Sequence, residues 1–122
     1  MGEKDFMNQF GTDMDFTSSG NSANVLDFGI ANPNRGVGNP LEAEITIKTA
    51  VAGTSIVFKL QDCDTSGGTY VDIATSKTYT TAIASGTLVK IPLPDEHRRF
   101  LRLAWVSTTI TAGTGDGYLQ AA

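Results

Sequence analysis

The sequence predicts an all-β domain, and three observations carry that prediction. The chain is rich in Gly, Thr and Ser and short of the Glu, Lys and Leu that helical proteins use, and Thr and Val suit pleated, half-buried surfaces. Stretches of apolar–polar alternation recur about every ten residues, separated by clusters of turn formers. No segment holds a helical period long enough to sustain a helix. This spacing fits a single-domain jelly roll or β-sandwich of about eight antiparallel strands, spanning residues 23–122, with an N-terminal arm over residues 1–22.

The arm differs from the rest of the chain. It carries Glu3, Asp5, Asp13 and Asp15 against Lys4, with Phe6, Met7, Phe10, Met14 and Phe16 interspersed. Phe6, Phe10 and Met14 could line one side of a helical turn, but Gly11 and the Thr-Ser-Ser-Gly-Asn run that follows work against a stable helix. Apolar side chains in such an arm have two destinations. They can pack across the domain's own core, or they can reach another subunit, since twenty extended residues span up to ~65 Å. Phe6, Phe10 and Phe16 are therefore candidate contacts with another subunit, with packing in cis as the alternative.

Ala23 to Phe28 is expected as a first short strand, followed by a long loop of turn formers from Ile30 to Pro40. Leu41 to Lys48 alternates most cleanly, with Leu41, Ala43, Ile45 and Ile47 inward and Glu42, Glu44, Thr46 and Lys48 outward. Glu42 and Glu44 then lie about 7 Å apart on one face, the mark of a solvated surface rather than an acid–base pair. Ala50 to Ser55 reads as a turn, and the strand after it points Ile56, Phe58 and Leu60 inward. Gln61 to Gly68 reads as a connection. Asp62, Asp64 and Ser66 resemble the start of a Ca²⁺ loop, but the closing acid at the twelfth position is replaced by Ile73, so Asx-turn chemistry is the better account.

Weaker, Thr-rich strands are expected at Tyr70–Ala74 and Tyr79–Ala84. Leu88 to Val106 then reads as two strands joined by a short charged turn. Val89, Ile91 and Leu93 share one face of the first, and Leu101, Leu103 and Trp105 share one face of the second. Thr108 to Gly117 reads as a loop and Tyr118 to Ala122 as a last strand. The core predicted from alternation is Ile45, Ile47, Phe58, Leu60, Ile91, Leu101, Leu103 and Trp105.

Composition excludes several classes of function. The formal net charge is −4 and the sequence pI is about 4.7, which disfavours nucleic-acid or anionic-membrane partners. No apolar run approaches the ~18 residues of a membrane span, and the N-terminus lacks the apolar core of a secretory signal. Cys63 is the only cysteine, so neither an internal disulfide nor a thiolate zinc site can form. His97, the only histidine, sits in the charged turn with Asp95, Arg98 and Arg99. A histidine there is expected to be solvated or ion-paired, and no nucleophile elbow accompanies it. No catalytic, metal or cofactor site is expected. The turn from Asp95 through His97, Arg98 and Arg99 is instead a candidate contact whose charges could steer docking.

Three landmarks occur in order. Asn24-Val-Leu-Asp-Phe-Gly29 opens the domain, Gly36-Val-Gly-Asn-Pro leads into the strand Leu41–Ile47, and Ile91-Pro-Leu-Pro94 precedes Arg99-Phe-Leu-Arg-Leu103. In these the chain resembles the capsid cement (decoration) protein family of tailed bacteriophages, of the kind described in a Bordetella podovirus. The resemblance spans roughly residues 23–122. It implies a jelly-roll-like domain made in the host cytoplasm that docks on the outer surface of the virion. It implies a homo-oligomer, dimer or trimer, with the major capsid protein as partner. The alternative reading is a carbohydrate- or surface-binding β-module. Such a module would need an exposed aromatic platform, whereas the alternation places Trp105 inside.

Overall fold

The computed structural model describes residues 9–22, 24–27, 41–65, 67–80, 82–94 and 98–121. They form one antiparallel sheet of seven strands: β1 (Gln9–Asp15), β2 (Gly20–Asn21), β3 (Leu26–Asp27), β4 (Leu41–Cys63), β5 (Val71–Thr75), β6 (Leu88–Leu93) and β7 (Phe100–Ala121). The all-β class is observed. Strand number and boundaries differ from expectation, because β4 and β7 each merge two expected strands with the segment between them.

β4 and β7 pair along their whole lengths, from Leu41 opposite Ala121 to Cys63 opposite Phe100. The expected turn at Ala50–Ser55 and loop at Thr108–Gly117 lie within this ladder. They read as breaks because they are built from Gly, Ala and Thr. In the fold they are bulges, with register shifts between Ile47 and Thr49, between Thr49 and Ala52, and between Ala52 and Gly53. Gly53 (φ 147°) and Gly113 (φ 150°) adopt backbone conformations that a side chain would oppose. A Cβ on Gly53 would lie 2.6 Å from the Cα of Ile110. Opposite this point Thr109 holds φ 50°, a strained value for a β-branched residue.

Bulges bend strands and increase their twist, and here a bend is required. Straight, the 23 residues of β4 would extend about 75 Å, whereas a chain of this length folds to a radius of gyration of about 14 Å. The bend lets both halves of the β4–β7 pair face one core. Val51, Ile83 and Ile110, all buried, line its inner side. The expected strand at Tyr79–Ala84 reduces to two isolated bridges across this region, Val51–Ile83 and Ile56–Tyr79.

The sheet therefore has four ranks. β7 and β4 are the central two. β6 and β5 share the free edge of β4, β6 along Leu41–Thr46 and β5 along Lys59–Asp62. β1, β2 and β3 share the free edge of β7, meeting it at residues 114–118, 104–105 and 100–101. Two corrections follow. The strands either side of the charged turn are not neighbours, since β6 and β7 lie on opposite edges of β4. The stretch expected as an arm is, from Gln9 onward, hydrogen-bonded into the sheet along β7.

Burial follows the alternation. Ile45, Ile47, Phe58, Leu60, Ile91, Leu101, Leu103 and Trp105 all lie in a single core cluster. Phe10 and Phe16 belong to the same cluster, and neither has any exposed surface. The ring of Phe16 meets Phe58 and Trp105 edge-on at centroid distances of 5.2 and 5.1 Å, an arrangement that the ring quadrupoles favour. As candidate contacts with another subunit, Phe10 and Phe16 are corrected: they pack in cis.

Candidate docking surface

Of the residues singled out from the sequence for contact, Phe6, Asp95 and His97 lie outside the described residues. Arg98 and Arg99 are described, and both are already engaged. Asp62 is buried where β4 ends and accepts from the backbone N–H of Arg98 at 2.8 Å, from its Nε at 3.0 Å and from its Nη2 at 2.9 Å. Arg98 Nη2 also donates to the Asp62 carbonyl at 2.9 Å, and Asp64 lies 3.6 Å from Nη1. Asp62 is thus committed to an arginine rather than open to a cation. Arg99 makes a two-pronged pair with Asp27 of β3, Nε at 2.7 Å and Nη2 at 3.0 Å. These hydrogen bonds hold both guanidinium groups even further above their ordinary pKa, Asp62 acting on Arg98 and Asp27 on Arg99. The basic cluster latches the entry of β7 to β4 and β3. It is not a free positive patch.

The charged residue that sequence reasoning passed over is Arg102. Alternation sends it to the outer face, opposite Gln61 of β4. There it ends a polar row running across three strands. Lys59 Nζ donates to Asp72 of β5 at 2.9 Å, Gln61 Nε2 donates to the same carboxylate at 2.7 Å, and Arg102 Nε donates to Gln61 Oε1 at 2.8 Å. The guanidinium lies over the ring of Tyr70, 4.0 Å from its centroid, a favourable cation–π placement. The hydrogen bond from Gln61, reinforced by Lys59, draws the Asp72 carboxyl below its usual range. Burial pushes the Tyr70 phenol up, so it stays neutral beneath the cation. Its hydroxyl is buried and has no hydrogen-bond partner among the described residues. The signal that could have found Arg102 is in the sequence, as an outward arginine between two inward leucines. Its partners Gln61, Asp72 and Tyr70 are distant in the chain and become visible only once the strands are in register.

The same face carries one exposed aliphatic side chain of β7, Val106, which is 46 % exposed.

On the outer face of the other half, Glu42 and Glu44 correct a further expectation. They are not a solvated pair: Glu44 is 5 % exposed. Gln120 of β7 donates to both, at 3.1 Å to Glu42 and 2.7 Å to Glu44, and Lys90 of β6 lies 3.8 Å from Glu42. One amide bridging two carboxylates ties the last residues of β7 to the start of β4. Among the described residues no group of three or more His, Cys, Asp or Glu side chains could hold a metal ion. Trp105 is buried, and its indole N–H donates to the Ser18 carbonyl at 2.8 Å, so it presents no platform for a sugar ring.

The family model Bbp16 matches residues 10–119, a span that begins in β1 and ends two residues short of the end of β7. No curated protein matches the chain.

Proposed function

The chain belongs to the Bbp16 family, which bears the name of a Bordetella phage protein, and from this premise we propose that it is a non-enzymatic structural virion protein. In this reading it binds the outside of the assembled phage capsid, bridges neighbouring major capsid subunits and stabilises the shell. The observation that carries the reading is the extent of the family match, which takes in every rank of the sheet rather than one motif. The single antiparallel sheet agrees with the all-β class that the sequence resemblance implies.

The chemistry of the surface supports this role. The charged side chains of the outer face are tied to one another in rows and latches, which leaves a stiff face with little entropy to lose on docking. Each contact with the shell can be weak, because a molecule that spans several subunits makes its later contacts intramolecularly. A molecule that binds only the assembled shell stabilises it by mass action.

The test is to mix the purified protein with undecorated shells. Stoichiometric binding by sedimentation and a raised temperature of shell disruption are the expected results. Absence of binding to the shells refutes the proposal.

A further inference from the structure

We propose that the outer face around Arg102 is the surface that meets the shell, and that its partner there is a carboxylate on a capsid subunit. This inference rests on the capsid-docking reading and adds to it a site and a partner chemistry. Three features carry it.

The first is an unmet donor set. Arginine presents five N–H donors in a planar fork. Arg102 uses its Nε toward Gln61, and among the described residues its Nη groups have no protein acceptor. Arg98 and Arg99, by contrast, each spend Nη donors on an aspartate. The second is preorganisation. Tyr70 lies beneath the Arg102 guanidinium, and the row Lys59–Asp72–Gln61 fixes the acceptor on its Nε. An incoming partner therefore meets a fork already oriented, which suits two-pronged recognition of a carboxylate. The third is an apolar neighbour, Val106, exposed on the same face of β7. Covering it on docking would help exclude water from the ion pair and strengthen it.

The same observations disfavour nucleic acid as the occupant. The ring that a base would stack on is covered by Arg102, and the chain's net charge is −4.

The experiment measures binding of the full-length protein to undecorated shells for the wild type, Arg102→Gln, Arg102→Lys and Val106→Glu, with thermal unfolding of each variant recorded in parallel. Arg102→Gln removes the fork and should weaken binding at least tenfold, about 1.4 kcal/mol. Arg102→Lys keeps the charge without the fork and should recover only part of that loss. Val106→Glu adds a carboxylate to the same face at an exposed position that folding tolerates, and should weaken binding even if Arg102→Gln proves unstable. Wild-type binding matched by a folded Arg102→Gln, or by Val106→Glu, overturns this inference and leaves the docking reading intact. A wild type that binds no shell overturns both. Tight binding of the wild type to DNA, abolished by Arg102→Gln, assigns the face to phosphate and likewise overturns the inference.

Discussion

Replacing Phe16 with alanine separates the two destinations open to the N-terminal apolar residues. Phe16 follows β1 directly, its backbone N–H donating to the Gly113 carbonyl at 3.0 Å and its carbonyl accepting from the Ser107 hydroxyl at 2.7 Å. Its ring is fully buried between Phe58 and Trp105. Gly115 leaves room for it, since a Cβ there would lie 3.0 Å from the ring. Removing a buried aromatic ring costs about 3–5 kcal/mol in lost transfer energy and residual cavity. With about 0.26 kcal/mol per kelvin of unfolding entropy for 122 residues, a loss of about 4 kcal/mol lowers Tm by about 15 °C. Trp105 is the only tryptophan and touches Phe16, so its fluorescence reports the change directly. The expected outcome for Phe16→Ala is a red-shifted native emission and the lower Tm, at protein concentrations too low for self-association. A Tm within about 4 °C of wild type, with unaltered emission, would refute the packing argument and return Phe16 to the role of an anchor for a neighbour. Deleting residues 1–16 removes Phe10, Met14 and Phe16 together. The loss then rivals the whole stability of a small domain, about 5–15 kcal/mol, and the truncated chain is expected to be unfolded by circular dichroism.

Three further predictions address the bend, the polar row and the thiol. Gly53→Ala forces a side chain into φ 147° and against the backbone of the facing strand, and should destabilise by at least about 2 kcal/mol. Gly67→Ala, with open space around its Cβ, should change stability by less than about 1 kcal/mol; equal denaturation midpoints for the two variants would remove the steric account of the bend. Asp72 has a folded pKa below its ordinary 3.8, so its contribution is present above that value and is lost as pH falls through the lower, folded one. Asp72→Asn should therefore flatten the acid limb of the stability–pH curve below about pH 4, and an unchanged acid limb in urea titrations would show that the row does not depend on this charge. Cys63 is 3 % exposed at the end of β4 and should react with a thiol reagent only as fast as the protein unfolds; immediate labelling of the native protein would contradict its burial.

The fold was legible wherever a local pattern decides the structure. The alternation in Leu41–Lys48, Ile56–Leu60, Leu88–Leu93 and Leu101–Trp105 identified the faces of these strands, because side chains two residues apart share a face whatever the partner strand is. The continuity of β4 and β7 was not legible. Whether Gly53 ends a strand or bends it depends on what stands opposite, and Thr109 and Ile110 are more than fifty positions away in the chain. The candidate surface divides in the same way. That Arg98, Arg99 and Arg102 lie close together is plain from the sequence. That Asp62 and Asp27 claim the first two while Arg102 keeps Nη donors in hand follows from strand register alone.

By itself, then, the sequence determined the all-β class, the inward residues of the longer strands, and the resemblance to phage cement proteins carried by its ordered landmarks. Only the tertiary structure decided that Phe10 and Phe16 are core, that two bulged strands organise the sheet, and that, among the described arginines, Arg102 is the one not paired with an aspartate. The physical reason is the range over which each is settled. Alternation is a property of adjacent residues. Burial of an aromatic ring, a bend at a glycine and the pairing of a guanidinium group are each completed by residues that only the folded chain brings within reach.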